Sequence, residues 1–181
     1  MKQIASTFTR LALTVSFLMA LCGCVSDSSG RKSSAPAVDN FDLARYMGTW
    51  YEIARLPQWF ERNMNDVQAE YTLQSDGTVK IMNFGVKNGE VKRVEGVARF
   101  KGWKMIGSLE VSFDKHFYSD YRIIRLAPDY HYAVVTSKTK DSLWILARNK
   151  ELPQKELDEI LSYLLGLDFD ISKLEYSWQQ P

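Results

Sequence analysis

Gly48-Thr49-Trp50-Tyr51-Glu52 opens a run, continued by Ile53 and Ala54, that is rich in the residue types suited to a pleated surface. The run predicts a first strand over 49–56, with the Trp50 indole in the core. Alone, a tryptophan at a strand start says little more than that it is buried. The chain around it says more. Further strands are expected at 67–75, 78–86, 91–101, 106–113, 119–126, 131–138 and 142–148. Ser75-Asp76-Gly77 and Lys87-Asn88-Gly89-Glu90 fall between them, and Asp-Gly and Asn-Gly tolerate the positive φ of a tight hairpin turn. Consecutive hairpins of about eight antiparallel strands predict an all-β up-and-down barrel, since closure removes the edges an open sheet would expose.

Alternation assigns faces. In Val67-Gln68-Ala69-Glu70-Tyr71-Thr72-Leu73 the odd positions are apolar, so Ala69, Tyr71 and Leu73 face one interior. Val79 and Ile81 continue that face, and Asn83 falls on it. Val94, Gly96, Ala98 and Phe100 oppose Arg93, Glu95 and Arg99, and Leu109, Val111 and Phe113 oppose Glu110 and Ser112. Strand 119–126 carries apolar residues on both parities, which leaves its inward face open. Ala54, Ala69, Gly96 and Ala98 are small, and if they line the lumen they leave room for a ligand. The alternative is a solid core plugged by Tyr71, Phe100, Phe113 and Trp144.

After the last of these strands, Pro153 opens a helix with Leu157, Ile160, Leu161, Leu164 and Leu165 on one stripe, and Gly166 ends it. One stripe predicts one partner surface, the outside of the barrel. Leu174-Glu175-Tyr176-Ser177-Trp178 reads as a last short strand. At the other terminus, a basic start with Lys2 and Arg10 precedes the apolar run Leu11–Leu21, too short to span a bilayer, and Leu21-Cys22-Gly23-Cys24 follows. This is the pattern of a secretory signal over 1–23 whose lipobox would leave Cys24 as a diacylglycerol-bearing N-terminus. By resemblance to sorted bacterial lipoproteins, Val25 after Cys24 implies delivery to the outer membrane. Residues 24–40, polar and rich in serine, are expected to form a flexible tether before a domain at 41–181. With Cys24 acylated, the mature chain holds no other cysteine and no disulfide.

Two motifs in order, Gly48-Thr49-Trp50-Tyr51-Glu52 and Leu143-Trp144-Ile145-Leu146-Ala147-Arg148, with the lipobox and terminal helix, resemble the lipocalins, in particular bacterial outer-membrane lipocalins and, more distantly, apolipoprotein D. The resemblance implies that Arg148 stacks across Trp50 at the closed end of the barrel, beside Gly48, and that Trp144 lines a ligand pocket. The turn Ala127-Pro128-Asp129-Tyr130-His131-Tyr132 departs from the family's second motif, so its roles stay open.

Formal charge is +1, but Lys2 and Arg10 lie in the leader, leaving 21 basic against 22 acidic residues and nothing that steers toward nucleic acid. His116 and His131 have no metal-ligand spacing and no triad partners, and Asp66, Glu70 and Glu95 lie on the polar parity. Lys101-Gly102-Trp103-Lys104 reads as an exposed hairpin tip whose basic and aromatic character also suits a lipid headgroup. No enzyme activity, metal or cofactor is expected. The expected function is a lipid carrier at the outer membrane, facing the periplasm, with a fatty acid, lysophospholipid or similar amphiphile held by Ala54, Ala69, Tyr71, Asn83, Ala98, Phe100, Val111, Phe113 and Trp144. The alternatives are an enzyme on the same barrel or an envelope structural module with a filled core. Oligomeric state stays open, a dimer among the options.

Overall fold

The computed structural model describes residues 35–177. Its strands are β1 (Gly48–Arg55), β2 (Asn65–Leu73), β3 (Val79–Lys87), β4 (Glu90–Phe100), β5 (Ser108–Ser112), β6 (Ser119–Leu126), β7 (Tyr132–Thr136) and β8 (Leu143–Ala147). They run in the order β2-β3-β4-β5-β6-β7-β8-β1, all neighbours antiparallel, and β1 closes the ring by pairing with β2. The eight-stranded barrel expected from the hairpin pattern is therefore present. At the β3–β4 turn both Asn88 (φ 54°) and Gly89 (φ 78°) adopt the positive φ for which these residue types were read. β2 pairs with β1 only from Gly48 to Tyr51; above that, a two-residue β9 (Glu175–Tyr176) takes its place beside Ala54 and Arg55.

One end is closed by the short helix α1 (Leu43–Tyr46) and by side chains that three chain segments supply. Asp42 caps α1, its carboxylate accepting from the Ala44 and Arg45 N–H groups. The Trp50 indole is fully buried and donates to the Tyr46 carbonyl at 2.8 Å. The Arg148 guanidinium lies 3.9 Å over that indole and donates to Thr49 O (2.8 Å) and Arg45 O (2.9 Å). Gly48 sits at φ 93°, so a side chain there would strain the backbone, and its Cβ would stand in contact with Arg148 Nη1 at 3.4 Å. The 127–132 turn, whose roles the sequence left open, belongs to the same closure. Tyr130, held at φ 67°, accepts on its hydroxyl from the Asp42 N–H, while Arg45 covers its ring and donates to Pro128 O.

α2 (Gln154–Gly166) docks on the outside of the barrel through Leu157, Ile160 and Leu164. They bury against the outward side chains of Ile53, Ile124, Val134, Leu143 and Ile145, each such aliphatic side chain contributing about 1.5–3 kcal/mol. Leu165, expected on the stripe, is exposed instead, because the face that meets the barrel is narrower than the helix's apolar pattern and is filled by Leu157, Ile160 and Leu164.

Two β-bulges decide faces that alternation could not. Between Glu52 and Ala54 the β1–β8 register shifts, so Ile53 and Ala54 both pack under α2 and Arg55 returns to the interior. Ala54, expected to line the lumen, is thus a helix contact. Between Ile123 and Arg125 the β6–β7 register shifts likewise, putting Tyr121 and Ile123 inside and Ile124 outside, which is why β6 is apolar on both parities. The end of the expected tether is also corrected. Ala35 is buried, and Val38 donates to Ile123 O and accepts from the Gly107 N–H, because β5 starts only at Ser108 and leaves those backbone groups to be paired. Cys24, the leader and Trp178 lie outside the described residues.

Trp50→Ala should cost roughly 3–5 kcal/mol in urea denaturation, as loss of a fully buried aromatic. Arg148→Ala should cost less, about 0.5–2 kcal/mol for the stacked pair, since the guanidinium keeps partial solvent access.

Candidate functional site

The interior is layered. Nearest the closed end, Trp50, Tyr46, Tyr71, Val79, Ala98, Leu109 and Leu146 form one apolar cluster. Within it the Tyr121 hydroxyl lies 2.8 Å from that of Tyr46 and 3.1 Å from that of Tyr71. Burial pushes Tyr71 up to about 12 and raises Tyr46 and Tyr121 well above the ordinary tyrosine value, so the trio is a neutral hydrogen-bonded chain crossing the lumen. Beside it an apolar cavity of about 10 Å³, lined by residues including Leu43, Met47, Ile81, Ala98 and Val111, has room for about one water.

Of the residues expected to hold a ligand, Ala69, Tyr71, Ala98, Phe100, Val111 and Trp144 all belong to this interior cluster. Asn83 pairs with Ala69 across β2–β3, and its Oδ1 is buried without a hydrogen-bond partner among the described residues. Phe113 lies just past the end of β5 and is half exposed at the barrel's other end. A Cβ on Gly96 would come within 2.6 Å of the Phe113 ring, so the space expected from that glycine is occupied by this side chain. Ala54 is excluded by the bulge.

The sequence did not single out the charged layer above this cluster. Arg55, buried, meets Glu52 at 2.5 Å, Glu175 at 3.0 Å and Glu61 at 3.7 Å, and donates to Glu61 O. Ser177 donates to Glu52, and the Trp144 indole donates to Glu61 Oε2 at 3.1 Å. Three carboxylates share one guanidinium, so the layer cannot hold all of them ionised at low cost. Burial, then repulsion from Glu52, pushes Glu61 up to about 7, and burial also raises Glu52 against the pull of Arg55. Glu52 carried a faint signal, being a charge on the parity of Trp50; Arg55 was hidden by the bulge, and Glu61 by its position in a loop. That loop, 56–64, folds over the open end, and its Met64 reaches within 3.0 Å of where a Cβ on Gly85 would stand.

His131, in the turn before β7, joins Asp129 (2.5 Å) to Glu156 in the first turn of α2 (2.8 Å). Hydrogen bonding to Asp129 raises its pKa. Among the described residues no group of three or more histidines, cysteines and acids could hold a metal.

Comparison with known proteins follows the fold. A family model described as a lipocalin-like domain matches residues 41–179. The outer membrane lipoprotein Blc of Escherichia coli (strain K12) is 38% identical over 173 residues, covering 94% of each chain. Apolipoprotein D of Cavia porcellus is 33% identical over 179 residues, covering 91% of this chain and 94% of its own. Among solved structures, insecticyanin of Manduca sexta aligns with a TM-score of 0.69 at 23% identity, over 83% of this chain and 87% of its own, a likeness of fold.

A carboxyl group whose pKa is higher folded than unfolded holds its proton longer in the folded state, so stability is lost as pH rises through that window. Between about pH 4.5 and 7, thermal or urea stability should therefore fall from the Glu61 contribution, and Glu61→Gln should flatten the fall. Parallel curves for the two proteins over that range would show Glu61 to titrate normally.

Proposed function

Because this chain belongs to the lipocalin family, we propose that it is a lipid-anchored carrier of fatty acids, lysophospholipids or similar amphiphiles at the outer membrane, working by partition rather than catalysis. The observation that carries this is the composition of the lumen. Below Trp144 it is apolar, with small walls at Ala69 and Ala98, a floor at Trp50, and a cover made of loop and side chains instead of sheet. Removing an acyl chain from water there gains about 0.8 kcal/mol per methylene. The name of the Escherichia coli relative, an outer membrane lipoprotein, supports the location. The lipobox at Cys24 supports the anchor.

The charged layer constrains how a ligand would sit. Three acids around Arg55 disfavour an anionic headgroup at that depth, so the acyl chain enters methyl end first and the headgroup stays at the mouth. The cavity beside the tyrosines holds only about 10 Å³, so an acyl chain needs interior side chains, such as the Phe113 ring packed over Gly96, to swing aside. The same small cavity favours a second reading, a structural barrel with a filled core.

Titration separates the two. A carrier should show a saturable change in tryptophan emission with long-chain fatty acid or lysophospholipid, stronger with longer chains and largely abolished in Trp144→Phe. Ala98→Phe should weaken binding, because the added ring takes volume the chain needs. No saturation, or unweakened binding by Ala98→Phe, would leave the filled barrel. For the anchor, Cys24→Ser should abolish palmitate labelling and leave unprocessed precursor, a hydroxyl being a far weaker nucleophile than a thiolate. Persistent labelling would place the acyl group elsewhere.

A further inference from the structure

The open end of the barrel carries a larger group of exposed aromatic side chains than the closed end, where Trp103 stands without another exposed ring among the described residues. The open end is ringed by the segments 56–64, 87–90, 113–118 and 137–142 that join the strands away from α1. On them Trp59 is 86% and Phe117 80% exposed, with Phe60 and Phe113 about half exposed. Bulky aromatics left in water mark an interaction surface, and indole and phenyl rings suit the boundary between lipid headgroups and acyl chains. The same segments carry Arg62, Lys87, Lys115 and Lys138, none of them in an ion pair with any described residue, whereas Lys140 is paired with Asp168. Of the acids on and beside these segments, Glu90 is paired with Lys92, Glu61 with Arg55, and Asp114 is turned onto the backbone N–H groups of His116 and Phe117, which leaves Asp66 and Asp141 against these four cations, so the balance is positive.

The path of the N-terminal segment gives a direction. Phe41 is bonded to Met105 at the closed end, Val38 to Ile123, and Ala35 to the Arg122 side chain. β6 descends from the open end to the closed one, so the chain followed back from Phe41 to Ala35 climbs toward the open end. Ala35 stands 11 residues after Cys24, a reach of about 35–40 Å when extended, against about 26 Å for an eight-residue strand of the barrel wall.

We infer that the open end docks on the surface of an anionic phospholipid bilayer, with Trp59, Phe60 and Phe117 at the headgroup boundary and Arg62, Lys87, Lys115 and Lys138 against lipid phosphates. The mouth then faces the membrane in which Cys24 is anchored, and a lipid passes between bilayer and lumen without crossing free water. The docking rests on the carrier function for its use, and on the surface for its evidence.

The test uses the acylated full chain in vesicles of phosphatidylethanolamine and phosphatidylglycerol with brominated acyl chains, which quench nearby tryptophans. Quenching should be present, mostly lost in Trp59→Phe, and unchanged in Trp103→Phe, whose indole is equally exposed at the closed end. Each basic residue near an anionic surface strengthens attachment about fivefold, so the combination Arg62→Glu, Lys115→Glu and Lys138→Glu should lower the docked population at least tenfold. Raised salt should act in the same direction. Quenching that is absent, that disappears in Trp103→Phe, or that survives the triple substitution overturns the inference. A wild-type dimer in sedimentation that the triple substitution dissociates also overturns it, since the loops then meet a second copy. Lysophospholipid co-purifying with the triple variant, read by mass spectrometry, should match the wild type. If it does while quenching fails, docking is wrong and the carrier stands; if no lipid co-purifies with either protein, the carrier function fails separately.

Discussion

The Arg148 guanidinium over the Trp50 indole is the contact on which the closed end depends. It gathers three remote segments: its face covers the first strand's tryptophan, and its N–H groups reach carbonyls of Thr49, of Arg45 in α1 and, at 3.4 Å, of Tyr130. A barrel has no flat sheet partner to cover its ends, so the floor must be made from side chains, and a planar cation can stack and donate at once. The first strand starts at this floor. β1 leaves it paired to β2 on one side and β8 on the other, and α1 is clamped beneath.

Above the floor the interior divides by chemistry. The lower part is apolar apart from three tyrosines that satisfy one another and the Asn83 side chain, whose Oδ1 has no partner among the described residues. The upper part holds the Arg55 cluster, in which burial and mutual repulsion keep Glu61 protonated to about neutral pH. Such a layer is costly in a barrel meant only to be stable, since well-packed aliphatic residues would serve as well or better. Its position under the loop 56–64 ties the loop to the lumen through Trp144 and the Glu61 and Met64 carbonyls, so the cover of the barrel is held by groups whose charge depends on pH.

Outside, the helix and the N-terminal segment occupy neighbouring strips of the same wall. Ile124 touches α2 while Ile123, one residue earlier, carries Val38 on its backbone and Tyr121 beside it within. The bulge in β6 makes this possible, because it lets adjacent residues serve the lumen and the helix without breaking the ladder.

Much of this was legible in the residues. Asn88-Gly89 read as a tight turn, alternation put Ala69, Tyr71, Ala98 and Phe100 on the inward faces of β2 and β4 although Leu73 and Val94 of the same parity are exposed, and the Leu157, Ile160 and Leu164 stripe required one external partner. These properties are local: they follow from φ preferences and from the periods of strand and helix. What only the tertiary structure decided is where those periods break. Ala54 lies under the helix and not in the lumen, Arg55 enters the interior, and the space beside Gly96 is filled by Phe113, each because closing a twisted sheet into a ring forces bulges and brings together residues distant in the chain. Alternation encodes which side chains share a face within one strand, but the register between strands, and so the identity of the groups that meet inside, is set by closure of the whole ring.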